Sequence, residues 1–428
     1  MAQTHGFSDK SRPAAAARAV YLKIFLGGSF AMVLTIFSVF SIFWGALWKI
    51  PSHTLPGWVV DFDGGLIGQN VAQALTSQSG PSKVTWTVIP ASQFPGGPSE
   101  VGAAVLEEHT WTAITINEGS TARLSNSLIT PNASYDGTQA ITVFAVEARN
   151  ENAFRSLIRP SVQASLGAIS GAIAIQTAQK VANSTNLASI LTTSPQTVTA
   201  PISYQIQNLA PFDIPVATAV TFVGLIYQLI LSFFIVMITH SAREASGLDK
   251  TLHTRSLITL RFVSSFGAYF VISLFYSLLS MAFQLTLTRK FGHGGFVIFW
   301  MLNYASMLSV GLALESLMTL LTTKGIPFFM ITWIIINVSV CVFPMEVMPK
   351  FFHYGYAVPF YNVSRAMRTI VFGTKNRVGL SFGILIAWVA ISCISLPLIQ
   401  MYVRKKANNA ARIAAETAER ETEEKPTA

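Results

Sequence analysis

Runs of about twenty apolar residues limit what this chain can fold into more than any other feature. About twenty residues of helix cross a hydrocarbon core, and six stretches approach or exceed that length: Ile24–Ile50, Pro215–Thr239, Leu257–Thr286, Gly295–Thr322, Ile326–Phe343 and Leu380–Val403. Composition agrees. Only 11% of residues are charged while 51% are hydrophobic, and mean hydropathy is +0.48; a soluble domain is about a quarter charged. The chain reads as an α-helical polytopic membrane protein with six transmembrane helices. Its net charge of +9 does not point to nucleic acid, because the basic residues are dispersed or sit beside apolar runs, where anionic leaflets attract them. Cys341 and Cys393 both fall in apolar helices, so neither a disulfide framework nor a cysteine metal site is readable.

The first run follows a basic, Ala-rich tail with Lys10, Arg12 and Arg18, as a secretory signal would. A signal has an apolar core of about 7–15 residues and a small-residue cleavage site; this run is longer and ends in Leu47-Trp48-Lys49, as an uncleaved anchor does. The expected organisation is a cytosolic tail over 1–23, a first transmembrane helix over 24–50, an extracytoplasmic α/β domain over 51–213, a five-helix membrane domain over 214–403, and a cytosolic tail over 404–428. Basic residues in the tails and in the loop His240–Ser256 favour cytosolic termini. Arg289, Lys290 and the bases between Lys350 and Arg377 fall on the other side and oppose that orientation.

Between Pro51 and Asp213 the composition becomes that of a soluble domain, with ten acidic and six basic residues. Strands are expected at Trp58–Phe62, Lys83–Ile89, Trp111–Ile116, Ile141–Val146 and Pro201–Gln207. Helices are expected at Leu66–Ser77, Ser99–His109 and from Glu151 to Val181, the last started or kinked at Pro160. This alternation favours an α/β layer with right-handed crossovers. Asn132-Ala133-Ser134 and Asn183-Ser184-Thr185 are glycosylation sequons that suit an external domain. Asp61, Asp63 and Gly64 follow the first strand; they could offer a polar or metal ligand, although a tight turn explains them more simply. His109, behind Glu107 and Glu108, reads as a solvated helix end.

The stretch from Asn337 to Val378 starts as the end of an apolar helix and then stops being one. Pro344, Pro349 and Pro359 each lack an N–H and clash with a preceding turn. Among them lie Phe351, Phe352, Tyr354, Tyr356, Phe360 and Tyr361, with Lys350, Arg365 and Arg368 close by, a mixture suited to the lipid–water boundary. Broken backbone at that depth must be covered by protein or line a water-filled cavity, so 344–378 is expected to be interfacial or re-entrant.

Catalytic signatures are missing. There is no GxxxxGK[ST] phosphate loop, HExxH or GxSxG, and no catalytic residue, metal or cofactor is expected. Glu315 reads as the one strong charge inside a span. A carboxylate there costs several kcal/mol unless it is paired, neutralised or facing water; it either faces the bundle interior beside a polar cavity or basic partner, or reaches water at the cytosolic end. Arg365 and Arg368 share a helix face and could bind a headgroup or carboxylate, or anchor an interfacial helix. His353, Tyr356, Tyr361 and Asn362 complete the candidates for lining a substrate path.

Two motifs resemble a known family. Val59-Val60-Asp61-Phe62-Asp63-Gly64 after the first run, and Phe351-Phe352-His353-Tyr354-Gly355-Tyr356-Ala357-Val358-Pro359-Phe360-Tyr361-Asn362 through Phe372-Gly373-Thr374, look like the fungal nitrosoguanidine-resistance membrane protein family. Leu157-Ile158-Arg159-Pro160 is similar as well. The resemblance implies kinship with the membrane subunits of type-two ATP-binding-cassette exporters, resistance to toxic amphipathic molecules, and a role in phospholipid distribution at the plasma membrane. It supplies no catalytic residues, and any ATPase would be a separate chain. The expected function is transport, or transport-linked work, on amphipathic small molecules or lipids. The alternatives are a non-transporting regulator of lipid asymmetry or assembly partner of another transporter, and, third, a membrane enzyme of a biosynthetic pathway. Membrane lipids, an amphipathic small molecule, a partner ATPase or transporter chain and a second copy of the chain are the partners considered; nucleic acid is not.

Overall fold

The computed structural model describes residues 6–77 and 83–423; the outermost parts of both expected tails lie outside them. Helix α1, Arg12–Leu47, starts well before the apolar run. Pro13 sits in its first turn and Ala14–Ala17 follow, a start that proline and alanine favour, so most of the expected N-terminal tail is helical.

The sheet domain follows the expected order closely. Strand β1 is Leu55–Asp61, helix α2 Leu66–Thr76, β2 Val84–Ile89, α3 Pro98–Leu106, β3 Thr112–Ile116, α4 Ser120–Ile129, β4 Ile141–Ala145, α5 Arg159–Val181 and β5 Tyr204–Asn208. Helix α4 was not anticipated, because its polar composition (STARLSNSLI) hides the stripe of buried Ser120, Leu124 and Ser127. Strand order is β2-β1-β3-β4-β5, with β3–β4 antiparallel and the other pairs parallel. Strands β3 and β4 are buried throughout, which is why they read as unbroken apolar and β-branched runs.

Among the described residues, five helices are long and apolar enough to cross a membrane. After α1 these are α6 (Ala219–Ala245), α7 (Thr254–Ala282), α8 (Gly295–Val338, within the apolar span Thr288–Val338) and the helix that closes the chain. Helix α8 has 44 residues and would be about 66 Å long if straight. It is not straight: Thr322 leaves the helix with φ 58 and ψ 179, and Pro327 follows. Both ends of α8 lie beside the sheet domain. Near its start Arg289 pairs with Asp213 at 2.8 Å; just past its end Asn150 and Asn152 donate to the Val342 carbonyl. Its middle lies at the far end of the bundle, so the chain doubles back at Thr322.

After α8 the prolines act as their chemistry requires. Short 3-10 turns occupy Met345–Val347 and Lys350–Ala357. Pro359 then opens α9, Pro359–Phe372, and Gly373 ends it at φ 74, the left-handed position that glycine fills most readily. Helix α10, Val378–Glu423, closes the chain. The core runs unbroken from sheet to bundle: Val60, Ala113 and Phe144 belong to one apolar cluster with Phe212, Leu229, Val363 and Phe372. Gly355 packs where a side chain would not fit. A Cβ there would stand 2.3 Å from Met345 Cε and 2.8 Å from Val340 Cβ, and Met345 and Val340 are fully buried. Gly355→Ala is therefore expected to cost about 1–3 kcal/mol by overpacking, read as a lower thermal unfolding midpoint of the purified protein.

Candidate functional site

Two buried charge clusters mark the bundle, one at each end. At the far end, Glu315 of α8 is fully buried. Its Oε1 accepts from Arg261 Nε of α7 at 2.6 Å and pairs with Arg243 Nη2 of α6 at 3.1 Å. Arg261 also donates to Thr319 Oγ1 and to Gln400 Oε1 of α10, each at 2.6 Å, and to the Glu315 carbonyl. Arg243 lies 3.4 Å from Asp249 in the short helical turn that follows α6. Helices α6 and α7 thus converge on one carboxylate of α8, with α10 joined through Arg261, and Glu315 Oε2 has no partner among the described residues. Glu315 is not the sole strong charge in the apolar runs: Arg261 sits inside Leu257–Thr286, and the same count of charges within runs would have found it.

A polar seam leads from this cluster through the bundle. On α7, Arg261, Ser265, Tyr269, Ser273 and Ser277 recur every four residues and are all buried, so each lies over the last along a ridge that winds slowly round the helix over about 24 Å. They face polar groups of the neighbouring helices. Tyr269 donates to the Ser232 carbonyl at 3.3 Å, and Trp300 donates to Ser273 Oγ at 3.2 Å. Asn303 donates to Ser277 Oγ at 2.8 Å and accepts from Gln228 Nε2 at 2.6 Å. Ser306 Oγ, fully buried on α8, has no partner among the described residues.

The second cluster clamps the sheet domain to α9. His109, read as a solvated helix end, is exposed, but Glu108 beside it is not: its side chain is 6% exposed and pairs with Arg365 and with Arg377, the latter at 2.9 Å. The backbone explains the aim. Glu108, two residues past the end of α3, has φ 62, an uncommon conformation for a residue with a side chain and one associated with functional or clamping sites. Burial alone would raise its pKa, but the charges of Arg365 and Arg149 and hydrogen bonds from Arg365 and Arg377 outweigh it and hold the carboxyl below its ordinary value. Arg368 pairs with Glu151 and donates to the Ala148 carbonyl at 3.0 Å. Burial opposes ionisation of Glu151 too, and is again outweighed, chiefly by Arg368.

The remaining candidates are placed as follows. Asn362 is buried and donates to the carbonyls of Tyr356 and Val358 at 2.9 Å, capping the turn that feeds α9. Tyr361 accepts from Arg365 at 3.0 Å. Tyr356 and His353 are exposed, their rings 5.9 Å apart, and His353 Nε2 reaches the Met345 carbonyl at 3.2 Å. Helix α9 itself is mostly buried, so protein covers the broken segment, while Phe351 is exposed. Asp61 Oδ1 accepts from the N–H groups of Asp63 and Gly64 at 2.9 and 3.0 Å, and Asp63 accepts from Thr121. They form a turn that docks α4. No group of three or more His, Cys, Asp or Glu side chains suited to a metal occurs among the described residues. Asn132 and Asn183 are both exposed, in a loop and a turn of the sheet domain.

This arrangement defines an integral membrane protein: apolar helices with buried, mutually paired charges, and a packed α/β domain inserted after the first helix. Residues 29–394 match the family described as protein of unknown function (DUF3533), and the chain belongs to that family. It is also similar to the uncharacterized endoplasmic reticulum membrane protein YJR015W of Saccharomyces cerevisiae (strain ATCC 204508 / S288c), with 26% identity over 415 residues, 90% of this chain and 81% of that protein. No solved structure matches the chain. Neither description speaks of nitrosoguanidine resistance.

Proposed function

We propose that this chain moves amphipathic small molecules or lipids across a membrane, alone or driven by a separate ATPase chain, and so confers tolerance to toxic compounds. The observation that supports this most is the polar seam. Buried hydroxyls, amides and charges stacked along one interface of an apolar bundle are costly in lipid and accompany substrate or ion paths. The resemblance to the nitrosoguanidine-resistance family and to type-two exporter subunits points the same way. The reversal of α8 at Thr322 makes two crossings of one long helix, giving six in all, with both termini and the Glu315 end cytosolic and the sheet domain outside. On that topology Asn132 and Asn183 are accessible to glycosylation. The relative's description makes the endoplasmic reticulum a location to test beside the plasma membrane.

Reconstitution into sealed liposomes tests the reading. Faster redistribution of a fluorescent short-chain lipid or amphipathic dye than in empty liposomes is the expected result; no difference, with or without a proton gradient, would remove transport by the chain alone. One observation favours a second reading, a non-transporting partner of another membrane protein. No residue of α1 between Arg12 and Thr35 is buried, leaving a long apolar helix free to pack against a second chain.

A further inference from the structure

Where the sheet domain meets the segment after α8 there is a cavity of about 30 Å³. Trp111 and Arg149 line it from the sheet domain, and Glu346, Tyr361, Arg365 and Arg368 from the other side. A space of that size admits one or two waters, or the oxygens of one small acidic group. The charges around it do not cancel. Arg149, Arg365, Arg368 and Arg377 face the carboxylates of Glu108, Glu151 and Glu346, which leaves one positive charge in excess. Nearby Arg155 and Glu147 neutralise each other at 2.8 Å, and Lys375 donates to the Glu107 carbonyl.

Of the four arginines, Arg149 is the least tightly paired. Its guanidinium lies 3.5 Å from the centre of the Trp111 ring and donates to the Thr110 carbonyl at 2.9 Å, a neutral partner. Its nearest carboxylate oxygen, Glu346 Oε1, stands at 3.6 Å, beyond hydrogen-bond reach, and the Arg149 side chain is only 9% exposed. Burial pulls its pKa down to about 10 despite the raising charges of Glu108 and Glu346. Glu346 is held loosely in turn: its side chain is 35% exposed and its Oε2 lacks a partner among the described residues.

We propose that this junction cavity binds one small oxyanion, a carboxylate or phosphate group, with Arg149 as its main contact and Glu346 as the carboxylate it displaces. Binding exchanges a long, partly wet ion pair for a charge-assisted hydrogen bond, the stronger arrangement. The oxyanion can belong to a lipid headgroup or be free in solution. The site does not depend on flux, so binding and transport can fail separately.

The test uses purified full-length protein in detergent at constant ionic strength, titrated with acetate or inorganic phosphate and followed by its unfolding midpoint. Wild type should show a saturable rise. Glu346→Gln, freed of the competitor, should half-saturate at an about two- to fivefold lower concentration, the worth of a partly exposed pair. Arg149→Gln should lose the response, while Arg155→Gln, the neighbouring exposed arginine, should keep it. Nanodiscs identify the source: if phosphatidylcholine or phosphatidylglycerol discs abolish the phosphate response, headgroup phosphates fill the site; if the response persists in both, the free anion does. A saturable response in neither wild type nor Glu346→Gln, with either anion, would overturn the proposal, as would an unchanged response in Arg149→Gln. Should Arg149→Gln not fold, the shift between Glu346→Gln and wild type decides alone.

Discussion

Glu315→Gln should unfold at a markedly lower temperature than the wild-type protein. The substitution keeps the shape of the side chain and removes the one carboxylate shared by Arg243 and Arg261. An uncompensated buried charge costs about 3–5 kcal/mol, and here two guanidiniums lose their partner at once. Arg243 retains Asp249 at 3.4 Å, so most of the loss should trace to Arg261. Glu315→Leu combined with Arg261→Met should therefore recover much of the stability, because removing both members of a buried pair is far cheaper than removing one. Cys341 is buried and Cys393 half-buried, so a thiol-reactive dye reports the transition directly. If Glu315→Gln melts with wild type and retains wild-type transport or resistance at equal expression, the cluster has neither role.

Glu108→Gln should loosen the sheet domain from the bundle. Arg365 and Arg377 would lose their carboxylate, and their side chains are 22% and 32% exposed. Water screens them in part, so the expected cost is about 2–4 kcal/mol, below that of a fully buried pair. Glu108→Gly loses the same charge but relieves the left-handed backbone at φ 62, and should be about 1 kcal/mol less destabilised than Glu108→Gln. The pH dependence carries a definite sign. The native pKa values of Glu108 and Glu151 lie below 4.5. Their contribution is thus fully present above the unfolded value near 4.5 and is lost as pH falls through the lower native values. Hydrogen exchange in α3 and α9 should rise on acidification in that window in the wild type, and by less in Glu108→Gln, which has already lost one of the two groups. An acid response unchanged by Glu108→Gln would mean that the clamp contributes nothing.

Much of the architecture was legible because it follows from local chemistry. Apolar runs with few charges mark spans, and Val84–Ile89 and Ile141–Ala145 carry the β-branched density of strands. After α8 has ended at Val338, Pro344 and Pro349 keep the chain from resuming a long helix, and Pro359 opens α9, where a missing N–H costs nothing. What was not legible depends on contacts between distant residues. Glu315 stood out by its cost, but its partners lie 54 and 72 positions earlier, and nothing local ties Arg243 or Arg261 to it. Glu108 drew no attention beside Glu107 and His109; only a left-handed turn and arginines more than 250 residues away bury it. The break in α8 falls at the expected boundary between Gly295–Thr322 and Ile326–Phe343, but its form, a threonine at φ 58, gave no signal, because that backbone conformation is one the threonine side chain does not favour. The seam on α7 could have been seen, because Arg261, Ser265, Tyr269, Ser273 and Ser277 keep a spacing of four, but it is hidden among apolar neighbours that face lipid.

The most direct test of the transport reading is to plug the seam. Ser273→Leu with Ser277→Leu places two branched apolar groups where Trp300 and Asn303 now find partners, while Phe275→Leu alters the same helix on its exposed face. In proteoliposomes of equal protein content, redistribution of a fluorescent short-chain lipid should fall to the empty-liposome rate in the double variant and stay at the wild-type rate in Phe275→Leu. Wild-type flux in a folded, plugged protein would contradict the seam as the path.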